Sequence, residues 1–249
     1  MKPIASLVIV HWNTPELLKN QLSQLIKSKR LQIIVIDNYS TKPIDWLHKE
    51  FPRVTLLRNK ENRGYAQACN QGAKLAKTDW VLFLNPDVQL NADQVSKMLN
   101  YCMKHNIDAA SPQSSSHGYE KAIPSIRSLL LEFTPLGRIF KQKKSEQKTL
   151  FGGCLLIRSS VFNKLTGWDE DFFFWFEDSD LTYRLYQNKF SVGWIPIMVE
   201  HIGGASVKKI SDRKQRKLFF TSMKIYAKKH FSFFGRFIVW LIAQRYTMF

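Results

Sequence analysis

Glu177 and Asp178 stand directly behind an unbroken aromatic run, Phe172-Phe173-Phe174-Trp175-Phe176, and ahead of Asp180, Leu181, Arg184 and Leu185. Two readings fit that pattern. Leu181 and Leu185 recur at a helical interval, acids sit well at the positive end of a helix dipole, and Asp180 can pair with Arg184 at i,i+4. Together these describe a capped amphipathic helix. Aromatic surroundings also disfavour the charged form of a carboxyl, which raises its pKa and makes it a better general base. On this second reading the Glu177-Asp178 pair is a candidate for general-base work.

Asp87 is a third carboxylate of interest. It follows the apolar run Trp80 to Leu84 behind Asn85-Pro86, where the proline stiffens the approach. A carboxylate there suits Mg²⁺ or Mn²⁺, which take hard oxygen ligands and complete their shells with water and substrate phosphates. His201 closes another apolar run and would add an imidazole that Mn²⁺ tolerates, although a lone histidine is also an ordinary structural residue. Asn62-Arg63-Gly64-Tyr65, with Asn70 and Gly72, forms a turn entering a helix whose first N–H groups suit phosphate. The turn matches neither a Walker loop nor GxGxxG. No Ser/His/Asp or Cys/His constellation for nucleophilic catalysis is present.

The elements that must position these residues read as α/β. Ser6–Val10, Leu31–Asp37, Val54–Leu57, Trp80–Leu84, Cys154–Ile157 and Trp194–Val199 are short apolar runs. Between the first four lie helical patterns at Pro15–Lys27, with Thr14 as N-cap, and at Tyr65–Lys77. A further helix opens at a capping box of Asn91 and Gln94. Continuous apolar strands alternating with amphipathic helices predict a mostly parallel sheet covered on both faces. Ligands in such sheets bind at the carboxyl ends of the strands. Those ends carry His11-Trp12-Asn13, Asp37-Asn38 and Asn85-Pro86-Asp87. Ser111 to Leu150 loses periodicity and reads as a long functional or mobile loop.

A 249-residue chain with 45% hydrophobic and 13% aromatic residues can bury one substantial core. Cys69, Cys102 and Cys154 are odd in number and widely spaced, which points to a reducing compartment. The first apolar run is too short for a secretory signal and reads as a buried strand. The net charge of +17 calls for an anionic partner. No nucleic-acid-binding motif accompanies that charge, so nucleic acid is not the expected partner.

Taken in order, the strand with HWN, IDNYS, NRGYAQACNQG, LNPDV, FGGCLLIRSSVF, GWDEDFFFWFEDSDLTYRL and a late histidine resemble family 2 inverting glycosyltransferases of the GT-A fold. Within that family the resemblance is to the bacterial rhamnosyltransferase-like branch and covers roughly residues 5 to 205. It implies a GT-A sheet sandwiched by helices and an inverting displacement at a sugar's anomeric carbon. Asp37 matches the acid that contacts the nucleotide base, and the His11 to Asn13 loop lies against the nucleoside. Gly64, Asn70, Asn85 and Gly153 match the nucleotide-sugar pocket. Asp87 matches the metal-binding aspartate, with Asn85 replacing the motif's first acid, and His201 matches a late metal ligand. Asp178 matches the catalytic base, with its neighbour Glu177 as the competing candidate. Trp168, Asp169 and the aromatic stretch through Trp175 lie toward the acceptor. The implied donor is a nucleotide sugar, most specifically dTDP-L-rhamnose, and the implied acceptor is lipid-linked or a surface polysaccharide. A UDP-hexose donor (galactofuranose or glucose) and a non-catalytic nucleotide- or glycan-binding module are the alternatives.

Residues 206–249 form a separate expectation. Between Arg213 and Phe249 there are nine Lys/Arg and no Asp or Glu, interleaved with aromatics. Arg236, Gln244 and Arg245 interrupt the apolar run that begins at Phe231, so a bilayer span, which needs ~20 apolar residues, is not expected. A basic amphipathic helical extension on an anionic membrane surface is the reading that fits, against a helix packed on the domain. It places the protein on the cytoplasmic face of the plasma membrane.

Overall fold

The computed structural model describes residues 2–114, 121–140, 147–203 and 210–247. Its centre is an eight-stranded sheet of order β3-β2-β1-β4-β7-β6-β8-β5. The strands are β1 (Ala5–His11), β2 (Leu31–Asp37), β3 (Thr55–Arg58), β4 (Trp80–Leu84), β5 (Val88–Gln89), β6 (Ala109–Ser114), β7 (Cys154–Arg158) and β8 (Val192–His201). Strands β3, β2, β1 and β4 run parallel, as expected for buried apolar runs joined by helical crossovers. β7 opposes its neighbours β4 and β6, and β5 opposes β8, so the sheet is mixed. Pro112 coincides with a register break in the β6–β8 ladder, which fits a residue that has no N–H to donate.

Helices α1 (Pro15–Leu25), α2 (Trp46–Glu50), α3 (Tyr65–Lys74) and α4 (Ala92–Lys104) follow β1, β2, β3 and β5. One core cluster packs Leu18, Leu22, Val95, Met98 and Leu99 on one face of the sheet. A second packs Ala66, Cys69, Phe162, Trp168 and Leu181 on the other. Fully burying a Leu, Ile or Phe side chain contributes about 1.5–3 kcal/mol, so these two layers hold the helices against the sheet. Asn91 and Gln94 form the expected capping box of α4. Thr14 occupies the N-cap position of α1 but makes no capping bond; its hydroxyl lies 3.2 Å from His11 Nδ1 instead. All three cysteines are buried and free.

The stretch from Ser111 to Leu150 is not one long loop. It holds the end of β6 and two helices, α5 (Ile126–Phe133) and α6 (Leu136–Ile139). Ser125 caps α5 through a capping box with Ser128. Residues 115–120 and 141–146, including Ser115, Ser116 and Lys143, lie outside the described residues. The excursion is closed at its base, where the Phe151 N–H donates to Ser111 Oγ at 3.0 Å and that hydroxyl donates to the Phe151 carbonyl at 3.3 Å.

After β7 come α7 (Ser159–Lys164) and α8 (Glu177–Gln187), then β8 and a helix pair, α9 (Asp212–His230) and α10 (Phe233–Thr247). The pair packs on the domain through a third cluster in which Phe220, Met223, Tyr226, Val239 and Ile242 meet Leu129, Phe172 and Phe176. The outer face of α10 is also apolar: Phe233, Phe234, Phe237, Trp240 and Leu241 are exposed at i, i+1, i+4, i+7 and i+8. No described helix is long and apolar enough to cross a membrane. The boundary expected at 205 lies outside the described residues.

Candidate active site

A cavity of about 400 Å³ lies where the ends of β4 and β8 meet the start of α8, and Trp12, Asn38, Asn85, Asp87, Glu177, Asp178 and His201 are in its wall. The sheet itself assembles one part of it. β4 ends at Leu84, the chain turns through Asn85-Pro86-Asp87, and β5 then pairs antiparallel with β8 so that Val88 opposes His201. That register brings Asp87 Oδ2 to 3.4 Å from His201 Nε2, with both side chains largely buried. Among the described residues no three His, Cys, Asp or Glu gather into a metal cage. The donor set does fit a divalent cation that takes two protein ligands, one hard oxygen and one imidazole, and fills its shell from diphosphate and water.

The acid pair is positioned by strain. Trp175 and Phe176 both have φ of +67°, in the left-handed region, immediately before α8 begins at Glu177. Two consecutive non-glycine residues there cost on the order of 1–3 kcal/mol each and persist only where surrounding contacts enforce them. The resulting kink turns Glu177 and Asp178 into the cavity at the amino end of α8. Glu177 is buried, and its Oε2 has no hydrogen-bond partner among the described residues. Burial first, and then the charge of Asp178, push the Glu177 carboxyl up to about 8. Asp178 is half-buried, and burial raises its proton affinity too. The N–H groups of Ser179, at 2.7 Å from Oδ1, and of Gly152 pull it back toward the charged form. Burial thus raises the proton affinity of both carboxyls.

The segment Phe151-Gly152-Gly153 joins the two parts. Gly153 O accepts from Asn85 N at 2.8 Å, the Phe151 ring packs on His201 with centroids 5.1 Å apart, and Gly152 O accepts from the Tyr65 hydroxyl at 2.8 Å. A Cβ on Gly152 would stand 3.0 Å from Asp178 Cβ.

Of the residues singled out from sequence, Gly64, Asn85, Asp87, Gly153, Trp175, Glu177, Asp178 and His201 line this cavity. His11, Asn13, Asp37, Asn70, Trp168 and Asp169 do not. Asp37 is buried, with its carboxylate accepting from Ser40 N at 3.0 Å and Arg58 Nε at 3.2 Å. Its neighbour Asn38 reaches the cavity in its place. His11 is buried beneath the Trp12 wall, and Asn13 Oδ1 accepts from Thr41 N, tying two loops together. Asn70 brackets the loop after α7, exchanging hydrogen bonds with both backbone groups of Trp168. Trp168 itself is core, edge-on to Phe83. Asp169 is held by Lys229 at 2.8 Å.

The turn at 62–65 differs from the expected phosphate cradle. Arg63 N and Gly64 N donate to the side chains of Asn38 and Asn62, and Tyr65 N donates to Phe173 O at 2.9 Å. These N–H groups organise the wall instead of presenting themselves to a ligand. Gly64 has φ of +79°, and a Cβ there would stand 2.5 Å from Phe173 O, so the turn needs glycine. Asn62 and Tyr65 of that turn do line the cavity, and Ile210, which was not anticipated, joins them. Asn62 sits in the NRGY turn and carried a signal; Ile210 arrives from a distant segment and carried none.

Residues 6–166 match the family model described as glycosyl transferase family 2, and residues 137–204 match one described as N-terminal domain of galactosyltransferase. The chain is 27% identical over 206 residues to N-acetylglucosaminyl-diphospho-decaprenol L-rhamnosyltransferase of Mycobacterium tuberculosis, covering 70% of this chain and 66% of that protein. It is 24% identical over 205 residues to the low-salt glycan biosynthesis hexosyltransferase Agl10 of Haloferax volcanii, covering 76% of this chain and 63% of that protein. The chain thus spans just under two thirds of the length of these relatives. Among solved structures, the mannosyltransferase PcManGT of Pyrobaculum calidifontis, in complex with GDP-Man and Mn²⁺, superposes with a TM-score of 0.63 at 14% identity, over 98% of this chain and 70% of that one. That likeness is one of fold, and the fold is GT-A. With a family model matched over more than half its length, the chain belongs to glycosyl transferase family 2.

Proposed function

We propose that this protein is an inverting glycosyltransferase that moves L-rhamnose from dTDP-L-rhamnose to a lipid-linked or surface-polysaccharide acceptor. The observation that carries this reading is one cavity walled both by a carboxylate–imidazole pair, Asp87 with His201, and by carboxyls of raised proton affinity, Glu177 with Asp178. Glu177, pushed up to about 8, keeps its proton at neutral pH, while the N–H groups of Ser179 and Gly152 favour the charged form of Asp178. Asp178 is therefore the group that accepts the proton of the acceptor hydroxyl as the hydroxyl oxygen attacks the anomeric carbon. Direct displacement needs no protein nucleophile. Asp87 and His201 would hold a divalent cation, Mn²⁺ or Mg²⁺, which when bound offsets the charge of the departing nucleoside diphosphate. Asn62 and Asn85 supply uncharged polar groups for sugar hydroxyls, Asn38 braces Asn62 and the turn at Gly64, and Trp175 offers an aromatic face to the acceptor. The rhamnosyl donor is supported by the mycobacterial relative's name.

A UDP-hexose donor is the second reading, favoured by the match of residues 137–204 to a galactosyltransferase domain. We place the protein peripherally on the cytoplasmic membrane face. There the exposed aromatic face of α10, flanked by Arg236 and Arg245, meets anionic lipid.

The test is nucleotide release from a panel of dTDP- and UDP-sugars with membrane lipid extract as acceptor, run with Mn²⁺, with Mg²⁺ and with EDTA. Release from dTDP-L-rhamnose, lost in EDTA and reduced about 10²- to 10⁴-fold in Asp178→Asn with nucleotide binding retained, is expected. Full activity in Asp178→Asn would remove the base assignment. Release from a UDP-sugar alone would replace the donor.

A further inference from the structure

The segment that carries the strained kink is gripped along its whole length by a single helix from the C-terminal pair. Lys229 Nζ bridges Asp169 Oδ2 at 2.8 Å and Asp171 Oδ2 at 2.7 Å, before the aromatic run begins. Ser222 Oγ donates to Phe174 O at 2.7 Å, in its middle. The Phe176 ring packs against Phe219 and Tyr226 with centroids 5.3 Å and 5.6 Å away. Past the acid pair, His230 Nε2 meets Asp180 Oδ1 at 2.7 Å, and the other oxygen of that buried carboxylate is held by Arg184 at 2.7 Å. The His230 ring is itself fixed between Tyr183 and Tyr226, at 4.4 Å and 4.6 Å.

Between these anchors Phe173, Phe174, Trp175, Glu177 and Asp178 line the cavity, and Trp175 and Phe176 hold positive φ. A left-handed pair relaxes unless its neighbours over-determine it. Beside the Tyr65 N–H on Phe173 O, the neighbours that do so come from α9, some 40 residues further along the chain than α8. We infer that α9 is the positioning element of the catalytic segment, with Lys229 and His230 as positioning residues that keep Asp178 aimed into the cavity. The helix pair then belongs to the catalytic unit, whatever its outer face meets. The kinetic half of this inference rests on the glycosyltransferase reading; the structural half does not.

The experiment uses the full chain with four single variants. Lys229→Met and His230→Leu remove the grip. Lys229→Arg and His230→Gln keep a donor in place. Hydrogen exchange is followed in peptides covering 172–178 and, as a control, β1 and β4. Exchange at 172–178 is expected to quicken at least about tenfold in Lys229→Met and His230→Leu, with β1 and β4 unchanged and the conservative variants close to wild type. In transfer assays kcat is expected to fall about tenfold while the KM for the nucleotide sugar stays within about twofold, as loss of orientation without loss of donor binding requires. Unchanged exchange at 172–178 in the two disruptive variants would overturn the inference. So would uniform acceleration across the protein, or conservative variants as impaired as the disruptive ones. A wild-type protein that transfers from no donor counts against the glycosyltransferase reading alone, because the exchange measurement still decides the positioning role.

Discussion

Replacing Glu177 by glutamine should make the protein more stable, and increasingly so as pH rises. The glutamate is buried, one carboxylate oxygen lacks a partner among the described residues, and Asp178 is its neighbour. Burial and that neighbouring charge move its carboxyl from an ordinary 4.5 to about 8. At ~1.4 kcal/mol for each tenfold change in proton affinity, the difference is worth about 5 kcal/mol. The sign follows from linkage. The folded state binds this proton more tightly than the unfolded chain does, so folding is unpenalised below pH 4.5. The cost grows as pH rises from 4.5 to about 8 and is constant above that. Glutamine has nearly the same shape and no charge to bury. Denaturant unfolding of the wild type and Glu177→Gln between pH 5 and pH 9 should show curves that nearly coincide at the acid end and separate by several kcal/mol at the alkaline end. A gap that is flat with pH, or one that closes as pH rises, would refute the picture of a carboxyl kept protonated by its surroundings.

The other predictions concern separate parts of the molecule. Asp87→Ala and His201→Ala should each weaken Mn²⁺ binding in the presence of nucleoside diphosphate at least about tenfold by calorimetry, without unfolding the protein. Gly64→Ala places a Cβ against Phe173 O at a positive φ; a cost of about 1–2 kcal/mol should lower the thermal midpoint by roughly 2–8 °C in a scanning measurement. Phe237→Ser combined with Trp240→Ser should weaken flotation with anionic vesicles at least about tenfold while leaving the fold intact, because both rings lie on the exposed face of α10.

The parallel half of the sheet was legible because its strands are uninterrupted apolar runs and its helices carry a clean 3.6-residue period. α4 was the plainest case, with its capping box and its Val95, Met98, Leu99, Cys102 stripe. α5 carried the same kind of stripe in Ile126, Leu129, Leu130 and Phe133, but eight residues between prolines gave it too short a window to stand out. The site divides the same way. Asp87, His201, Glu177 and Asp178 were visible as acids and an imidazole at element ends, where side chains point into crevices. Asp37 and Asn70 share those types and end in supporting hydrogen bonds, because local pattern cannot say whether Asp37 or Asn38 turns toward the cavity. Ile210 and the α9 anchors were illegible for a different reason: their role depends on a long-range return of the chain that no local period encodes.

The Ser111–Phe151 pair at the base of the long excursion has an implication for how such a protein diversifies. Both ends of the excursion are pinned to each other, and Phe151 is in turn fixed on His201. The closure entropy of a loop grows only slowly with its length, so a change of length at the exposed α6 end adds little to the cost of closing the excursion, whereas Leu129 of α5 is tied into the cluster that holds Phe172 and Phe176. The enzyme is in that sense built as a socket. The Ser111–Phe151 clasp is its fixed rim, set by hydrogen bonds at one end of the excursion and by the ring of His201 at the other.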